Sequence, residues 1–161
     1  MKCVVVGNAE NQSHKGGLVD EFEIVVRLNA GSALANNSEC IGVKTDIWSF
    51  STIDLLQYQT WSKLFPDVVQ WRVNGRIDYR FCGGFNGSEE HYKKFIYDYG
   101  FPRPSTGLIT ASYAIHRGYS VSVIGFDFFT TGTWYRSGNN HGPHDGKRER
   151  RYLEQIGVNI L

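Results

Sequence analysis

Three things are scarce in this chain: a bias of charge, paired cysteines and long apolar runs. The 161 residues carry 17 lysines and arginines against 16 aspartates and glutamates, a formal net charge of +1. Such a balance gives no bulk attraction to nucleic acid or to an anionic membrane. None of the three cysteines stands in a CxxC pair, which argues against zinc. No apolar run reaches membrane-spanning length, so we expect no integral membrane segment.

Several signature motifs are missing too. The chain contains no DxD triplet, no lysine-bearing phosphate loop, no GxSxG turn and no GxGxxG fingerprint. Their absence disfavours metal-bound nucleotide-sugar transfer, P-loop phosphotransfer, α/β-hydrolase chemistry and dinucleotide binding. The first apolar strand begins at Lys2, which leaves no room for a signal peptide. Together with an odd number of cysteines, this leads us to expect a cytoplasmic protein.

What the chain does contain is a regular alternation of strand and helix signals. Strands are predicted at residues 3–6, 22–28, 44–50, 67–73, 121–124 and 158–161. Helices are predicted at residues 53–64, 89–99, 105–117 and 147–156, with at most one short helix between residues 10 and 21. The alternation predicts an α/β fold, a Rossmann-like α/β/α sandwich around a mainly parallel sheet, and a single domain over residues 1–161.

Two asparagines follow neighbouring strands of that sheet. Asn8 comes after Gly7 at the end of the first strand, and Asn29 ends the second. The glycine lets backbone amides approach a ligand closely, and an asparagine amide can donate to a phosphate oxygen. Parallel strands end on the same side of a sheet, so Asn29 is expected near Asn8. The alternative is that both residues only form turns. Arg27 is expected to be structural, with an acidic partner.

Residues 103–107 (Arg-Pro-Ser-Thr-Gly) open a predicted helix. The free backbone amides of a helix start, with the hydroxyls of Ser105 and Thr106, suit an anion or a carboxylate. The alternative is plain N-capping by Ser105.

The loop before the last helix offers candidates for proton transfer. Histidine is the usual side chain for taking a proton near neutral pH, and His144 lies directly before that helix. The alternative is an inert surface histidine. Asp127 follows a strand, where it could cap a turn, hold a cation or orient His144. Tyrosine hydroxyls can stabilise a leaving phosphate, which makes Tyr135 a candidate, and loop packing is the alternative. His141 and His144 supply too few ligands for a metal.

In their order and spacing these segments resemble the sialyltransferases. Residues 4–8, 26–29 and 42–45 resemble the large sialylmotif of the animal-type family, and residues 104–107 with 123–126 resemble the small one. His144 with Glu149 fits the H-x4-E pattern of the very small motif. Residues 125–129, continuing through Tyr135 to His144, are also similar to the bacterial oligosaccharide sialyltransferases. Residues 53–100 match no motif.

The resemblance implies a GT-A-like nucleotide-sugar-binding fold, a CMP-linked donor and no metal or other cofactor. It implies that Asn8 and Asn29 contact the nucleotide phosphate or ribose, and that His144 deprotonates the acceptor hydroxyl. Tyr135 would bind the leaving phosphate. Phe129 stands where the bacterial pattern has a second tyrosine, so His141 becomes a candidate for that contact. The predicted catalytic residues are His144 and Tyr135, and the predicted substrate-binding residues are Gly7, Asn8, Asn29, Arg103, Ser105, Thr106, Gly107, Asp127, Phe129, Trp134 and His141.

The expected function is therefore metal-independent, inverting transfer of a sugar from a CMP-activated donor to a glycan acceptor. Sialic acid is the expected sugar, with another CMP-linked keto-sugar such as Kdo left open. A CMP-sugar hydrolase or cytidine-nucleotide-binding protein is one alternative, and a non-enzymatic α/β interaction module is the other. The chain is shorter than is usual in the family, and it has no cysteine near Ser105 for the animal-type disulfide. The sequence is compatible with a monomer or a homo-oligomer, and no nucleic-acid partner is expected.

Overall fold

The computed structural model describes residues 1–9, 14–30, 38–51, 55–63, 68–73, 88–131 and 144–161. In this part of the chain, six strands form one sheet in which every pair is parallel. The strands are β1 (Lys2–Val6), β2 (Ile24–Leu28), β3 (Ile47–Phe50), β4 (Val69–Arg72), β5 (Ser120–Ile124) and β6 (Asn159–Ile160). The helices are α1 (Gly16–Asp20), α2 (Ser38–Ile41), α3 (Leu55–Ser62), α4 (Ser88–Tyr97), α5 (Thr106–His116) and α6 (Gly146–Gln155).

The sheet is covered on both faces, as the unbroken apolar runs predict for a parallel sheet. Side chains alternate across a strand, so Val4 and Val6 of β1 join the core under α1 and α2, whereas Cys3 and Val5 join the core under α4, α5 and α6. Cys3 has no exposed surface, and burial raises the pKa of its thiol to about 12. Cys3 is therefore a small buried residue of the core.

The strand order β4-β3-β2-β1-β5-β6 places a reversal at the centre of the sheet. From β1 the chain proceeds outward through β2, β3 and β4, then returns to the other side of β1 as β5. In open α/β sheets, ligands bind outside the carboxyl ends of the strands at such a reversal. The topology therefore predicts a ligand site at the loops that follow β1 and β5. The predicted class, an α/β/α sandwich with a mainly parallel sheet, is confirmed.

All six predicted strands are present, and their ends differ from the prediction by a few residues. β2 begins at Ile24, two residues later than predicted, because the carbonyls of Phe22 and Glu23 accept hydrogen bonds from the Lys44 ammonium, at 2.6 and 2.8 Å. The helix α2, which is only four residues long, was not predicted. Arg27 is structural as expected. The acidic group near it is Asp20, which acts through its charge, whereas the hydrogen bonds of the guanidinium go to other groups.

The Arg27 guanidinium is buried beside β2 and donates mainly to backbone. Its Nε reaches the carbonyl of Lys44 and the hydroxyl of Thr45, both at 2.9 Å, and its Nη2 reaches the carbonyl of Ile41 at 3.0 Å. Burial lowers the pKa of Arg27 to about 10, and the nearby charge of Asp20 opposes that shift. The Arg27 side chain therefore ties the segment before β3 to the sheet.

Among the described helices, none has the length and apolar character that a membrane span requires.

The glycine after β1 is expected to be required by packing. A Cβ on Gly7 would collide with the carbonyl of Gly125 and the ring of Phe126, whereas a Cβ on Gly17 in α1 would meet nothing. We expect Gly7→Ala to lower the free energy of unfolding by about 1–3 kcal/mol. Gly17→Ala is the matched control and is expected to leave it unchanged or raise it by about 0.5–1 kcal/mol. Urea unfolding of both variants checks this, and equal stabilities would contradict the close packing.

Candidate active site

Three segments meet at the carboxyl edge of the sheet, and the Phe126 ring lies between them. Phe126 follows β5, and its ring occupies the space that a Cβ would need on Gly7, after β1, and on Gly107, in the first turn of α5. The two glycines are therefore needed for contact with Phe126, and their role in ligand binding stays a prediction. Sequence reasoning singled out both glycines, but it named Phe126 only as part of a motif and not as the side chain that joins them. The signal available was an aromatic residue directly after a strand-ending glycine.

The two asparagines expected to converge do lie side by side. Asn8 Nδ2 donates to the carbonyl of Leu28 at 3.3 Å, one residue before Asn29. That bond turns the Asn8 Oδ1 inward, where it is buried and has no hydrogen-bond partner among the described residues. A buried amide oxygen without a donor is costly, and a ligand hydroxyl or N–H would satisfy it.

Asn29 adopts a left-handed backbone conformation with φ of 51° and bridges two strand ends. Its Oδ1 accepts from the backbone N–H of Ser51 at 3.0 Å, and its carbonyl accepts from the Trp48 indole at 2.8 Å. Ser51, just after β3, in turn shares a hydrogen bond of 2.6 Å with the hydroxyl of Thr106. These bonds connect the ends of β2 and β3 to the start of α5.

At the start of α5, the hydroxyl of Ser105 is already engaged within the protein. It caps the helix by accepting from the N–H of Leu108 at 3.0 Å, and it donates to Glu149 Oε2 at 2.5 Å. The Ser105 N–H donates to the other carboxylate oxygen of Glu149 at 2.9 Å. Ser105 is only 8% exposed, so the N-cap alternative describes what its hydroxyl does in this structure. A role for Ser105 in ligand binding stays a prediction.

Glu149 lies one turn into α6 and is 2% exposed. Burial raises the pKa of its carboxyl to about 7, even though the two hydrogen bonds from Ser105 favour the charged form. The carboxyl therefore titrates in the folded protein near neutral pH. Glu149 was noted in the sequence only as part of a motif, and its burial against Ser105 could not be read from it.

His144 is held on two sides. Its Nδ1 lies 2.7 Å from the carbonyl of Arg103, and its ring stacks on Phe129 with centroids 4.9 Å apart and planes 20° apart. A carbonyl can only accept, so Nδ1 carries the proton and Nε2 of the neutral ring keeps its lone pair. Arg103 therefore acts at this contact through its backbone, while its side chain is exposed.

Asp127 forms the turn that presents Phe129. Its carboxylate accepts from the N–H groups of Phe129 and Thr131 and from the Thr131 hydroxyl. Phe128 and Phe129 both have positive φ, 56° and 67°, which is unusual for non-glycine residues and costs of order 1–3 kcal/mol each. Of the three roles considered for Asp127, the turn cap is the one that the structure bears out.

Trp134, Tyr135 and His141 lie outside the described residues. Among the residues that are described, no group of three or more His, Cys, Asp or Glu side chains is arranged to hold a metal ion. The remaining predicted residues, from Gly7 to His144, are joined by contacts along one edge of the sheet.

The raised pKa of Glu149 predicts how stability changes with pH. Because the folded protein holds this proton more tightly than the unfolded chain, the stabilisation is complete below about pH 4.5 and is lost as pH rises through about 7. Wild type should lose up to about 3 kcal/mol of unfolding free energy relative to Glu149→Gln over that range. Urea unfolding between pH 4.5 and 8 measures it, with Glu154→Gln, an exposed residue of α6, as control. Parallel curves for wild type and Glu149→Gln would contradict the burial of a titrating carboxyl.

The fold is similar to that of solved sialyltransferases. The chain superposes on the crystal structure of a mammalian sialyltransferase with a TM-score of 0.68 at 18% identity, covering 99% of this chain and 68% of that one. It superposes on the sialyltransferase CstII from Campylobacter jejuni, solved with the substrate analogue CMP-3FNeuAc, with a TM-score of 0.66 at 15% identity. That match covers 99% of this chain and 80% of the bacterial one.

The sequence comparisons agree. Residues 1–71 match the model of glycosyltransferase family 29 (sialyltransferase). In an alignment 191 positions long, the chain is 25% identical to the CMP-N-acetylneuraminate-beta-galactosamide-alpha-2,3-sialyltransferase 1 of Gallus gallus. The alignment covers 92% of this chain and 53% of that protein. The Sus scrofa protein of the same name is 23% identical, with the same coverage. The chain thus spans about half the length of these relatives. The resemblance to the sialyltransferases that the motifs predicted is confirmed.

Proposed function

We propose that this protein is a glycosyltransferase that moves sialic acid from a CMP-activated donor to a glycan acceptor. The observation that carries the proposal is the state of His144: its Nδ1 is bonded to the Arg103 carbonyl, and this leaves Nε2 as a base at the carboxyl edge of the sheet. Relatives in sequence are CMP-sialic-acid-dependent by name, and the bacterial neighbour was solved with a CMP-sugar analogue. Both findings support this donor class.

In the proposed reaction the His144 Nε2 takes the proton of an acceptor hydroxyl. The hydroxyl oxygen bonds to C2 of the sugar as the bond from C2 to the phosphate oxygen breaks, and CMP leaves with that electron pair. C2 is tertiary and becomes oxocarbenium-like, so the enzyme has chiefly to position the reactants, remove the proton and stabilise the phosphate. Attack on the face opposite CMP inverts the configuration.

The donor is proposed to bind across the ends of β1 and β2. The buried Asn8 Oδ1 is an acceptor, which suits a ribose hydroxyl better than a phosphate oxygen. The Asn29 Nδ2 has no hydrogen-bond partner among the described residues and can donate to an anionic group, since its Oδ1 is fixed by Ser51. Tyr135 and His141 remain the proposed contacts of the leaving phosphate. Transfer is proposed to need no metal, in keeping with the absence of a DxD triplet from the sequence.

The acceptor is proposed to be a glycan, since the mammalian neighbour was also solved with Gal-beta-1-3GalNAc-ortho-nitrophenol. The aromatic Trp134 is the predicted acceptor contact. A cytoplasmic location is likewise a proposal, and cell fractionation tests it.

Replacement of His144 tests the role of the base. His144→Ala should lower kcat for transfer from CMP-sialic acid about 10²- to 10⁴-fold, the usual contribution of a general base. The dissociation constant for CMP, measured by calorimetry, should stay within about twofold, because His144 acts on the acceptor. The matched control is His116→Ala, at the opposite end of α5 from the site.

Transfer that survives in His144→Ala would remove this histidine from the mechanism. The same assay, run without an acceptor, separates the first alternative: release of free sialic acid at the full rate would favour a hydrolase. No heat on addition of CMP to the folded wild type would favour a non-enzymatic module. Activity that disappears with EDTA and returns with a divalent metal would contradict the metal-independent mechanism.

A further inference from the structure

We infer that Glu149 is a positioning residue for His144, acting through residues 103–105, the segment that both side chains contact. This inference rests on the proposed function, in which His144 is the base. Glu149 touches neither the imidazole nor, in the proposed reaction, the substrate. It binds Ser105, and the carbonyl that orients His144 belongs to Arg103, two residues earlier.

The connection is short and stiff. Glu149 accepts from both the N–H and the hydroxyl of Ser105, at 2.9 and 2.5 Å, so that residue is fixed by two bonds in a buried setting. Pro104, between Ser105 and Arg103, is buried, and its ring restricts φ to a narrow range. The direction of the Arg103 carbonyl therefore follows from where Ser105 is held. That carbonyl sets which imidazole nitrogen carries the proton.

The two ends of this connection lie five residues apart in the sequence, His144 just before α6 and Glu149 within it. His144 directly precedes Asp145, the N-cap of α6, and Glu149 is in the first turns of that helix. The helix start is close-packed, since a Cβ on Gly146 would collide with the carbonyl of Phe128. Residues 144–149 contact residues 103–105 at two points, His144 and Glu149, which leaves little freedom for the imidazole to rotate away from the Arg103 carbonyl. Phe129 limits it from the stacked side.

Glu149 contributes a side chain long enough to bind both the N–H and the hydroxyl of Ser105. Two substitutions separate the effect of this length from the effect of the charge. Gln has the same length: its Oε1 can accept from the Ser105 N–H, and its Nε2 can donate to the Ser105 hydroxyl. Asp keeps the charge, but it is one methylene shorter and cannot hold both Ser105 atoms. The matched controls are Glu154→Gln and Glu154→Asp, on the exposed side of the same helix, where the carboxylate pairs with Arg150.

The test is the tautomer of His144, read from nitrogen-15 NMR of the imidazole in folded protein at a pH where the ring is neutral. Wild type and Glu149→Gln should show the Nδ1–H form, and Glu149→Asp should shift toward the Nε2–H form. In the transfer assay, Glu149→Asp should lower kcat on the order of 10-fold or more, with KM for the CMP donor within about twofold. Glu149→Gln should stay near wild type, as should both Glu154 variants.

Two results would overturn the inference: a folded Glu149→Asp with the wild-type tautomer and kcat, or a folded Glu149→Gln that loses the Nδ1–H form as fully as the Asp variant does. The spectrum needs no turnover. A protein that transfers no sugar but shows the expected tautomers would refute the proposed function and leave the positioning role of Glu149 standing.

Discussion

The pairing of β1 with β5 is the contact on which the rest of the site depends. It is where the strand order reverses, and it sets the loop after β1 beside the loop after β5. Both helices that follow the reversal, α5 and α6, begin at the carboxyl edge, because each precedes a strand parallel to β1. The topology thereby brings residues from four distant parts of the sequence to one edge, where long-range hydrogen bonds then join them.

Close packing then decides what that edge can do. Phe126 needs glycine at positions 7 and 107, so the space near the strand ends is set by a ring rather than by a loop. The polar groups divide into two sets. Ser105 and Asp127 are engaged in hydrogen bonds within the protein. Among the described residues, by contrast, nothing pairs with the Asn8 Oδ1 or the His144 Nε2. Whether a side chain is already hydrogen-bonded within the protein therefore distinguishes structural residues from candidate ligand-binding or catalytic residues better than its residue type does.

The sequence carried most of the fold and the location of the site. Unbroken β-branched runs such as Val4–Val6 can only be buried on both faces, which implies parallel strands and their shared carboxyl edge. It could not supply pairings between side chains far apart in the chain. Nothing local distinguishes Glu149, buried on Ser105, from Glu154, exposed on the same helix. Likewise the short α2 has no periodic pattern, and the stacking of Phe129 on His144 depends on two left-handed residues that local propensity disfavours.

A crystal structure of the protein with CMP tests the central idea most directly, namely that the reversal between β1 and β5 is a nucleotide site. CMP should lie across the carboxyl ends of β1 and β2, with one of its hydroxyls donating to the Asn8 Oδ1 and its phosphate end directed toward His144, separated from the imidazole by the space for the donor sugar. CMP bound at another surface, or a folded protein in which Asn8 stays unpaired at saturating CMP, would contradict it.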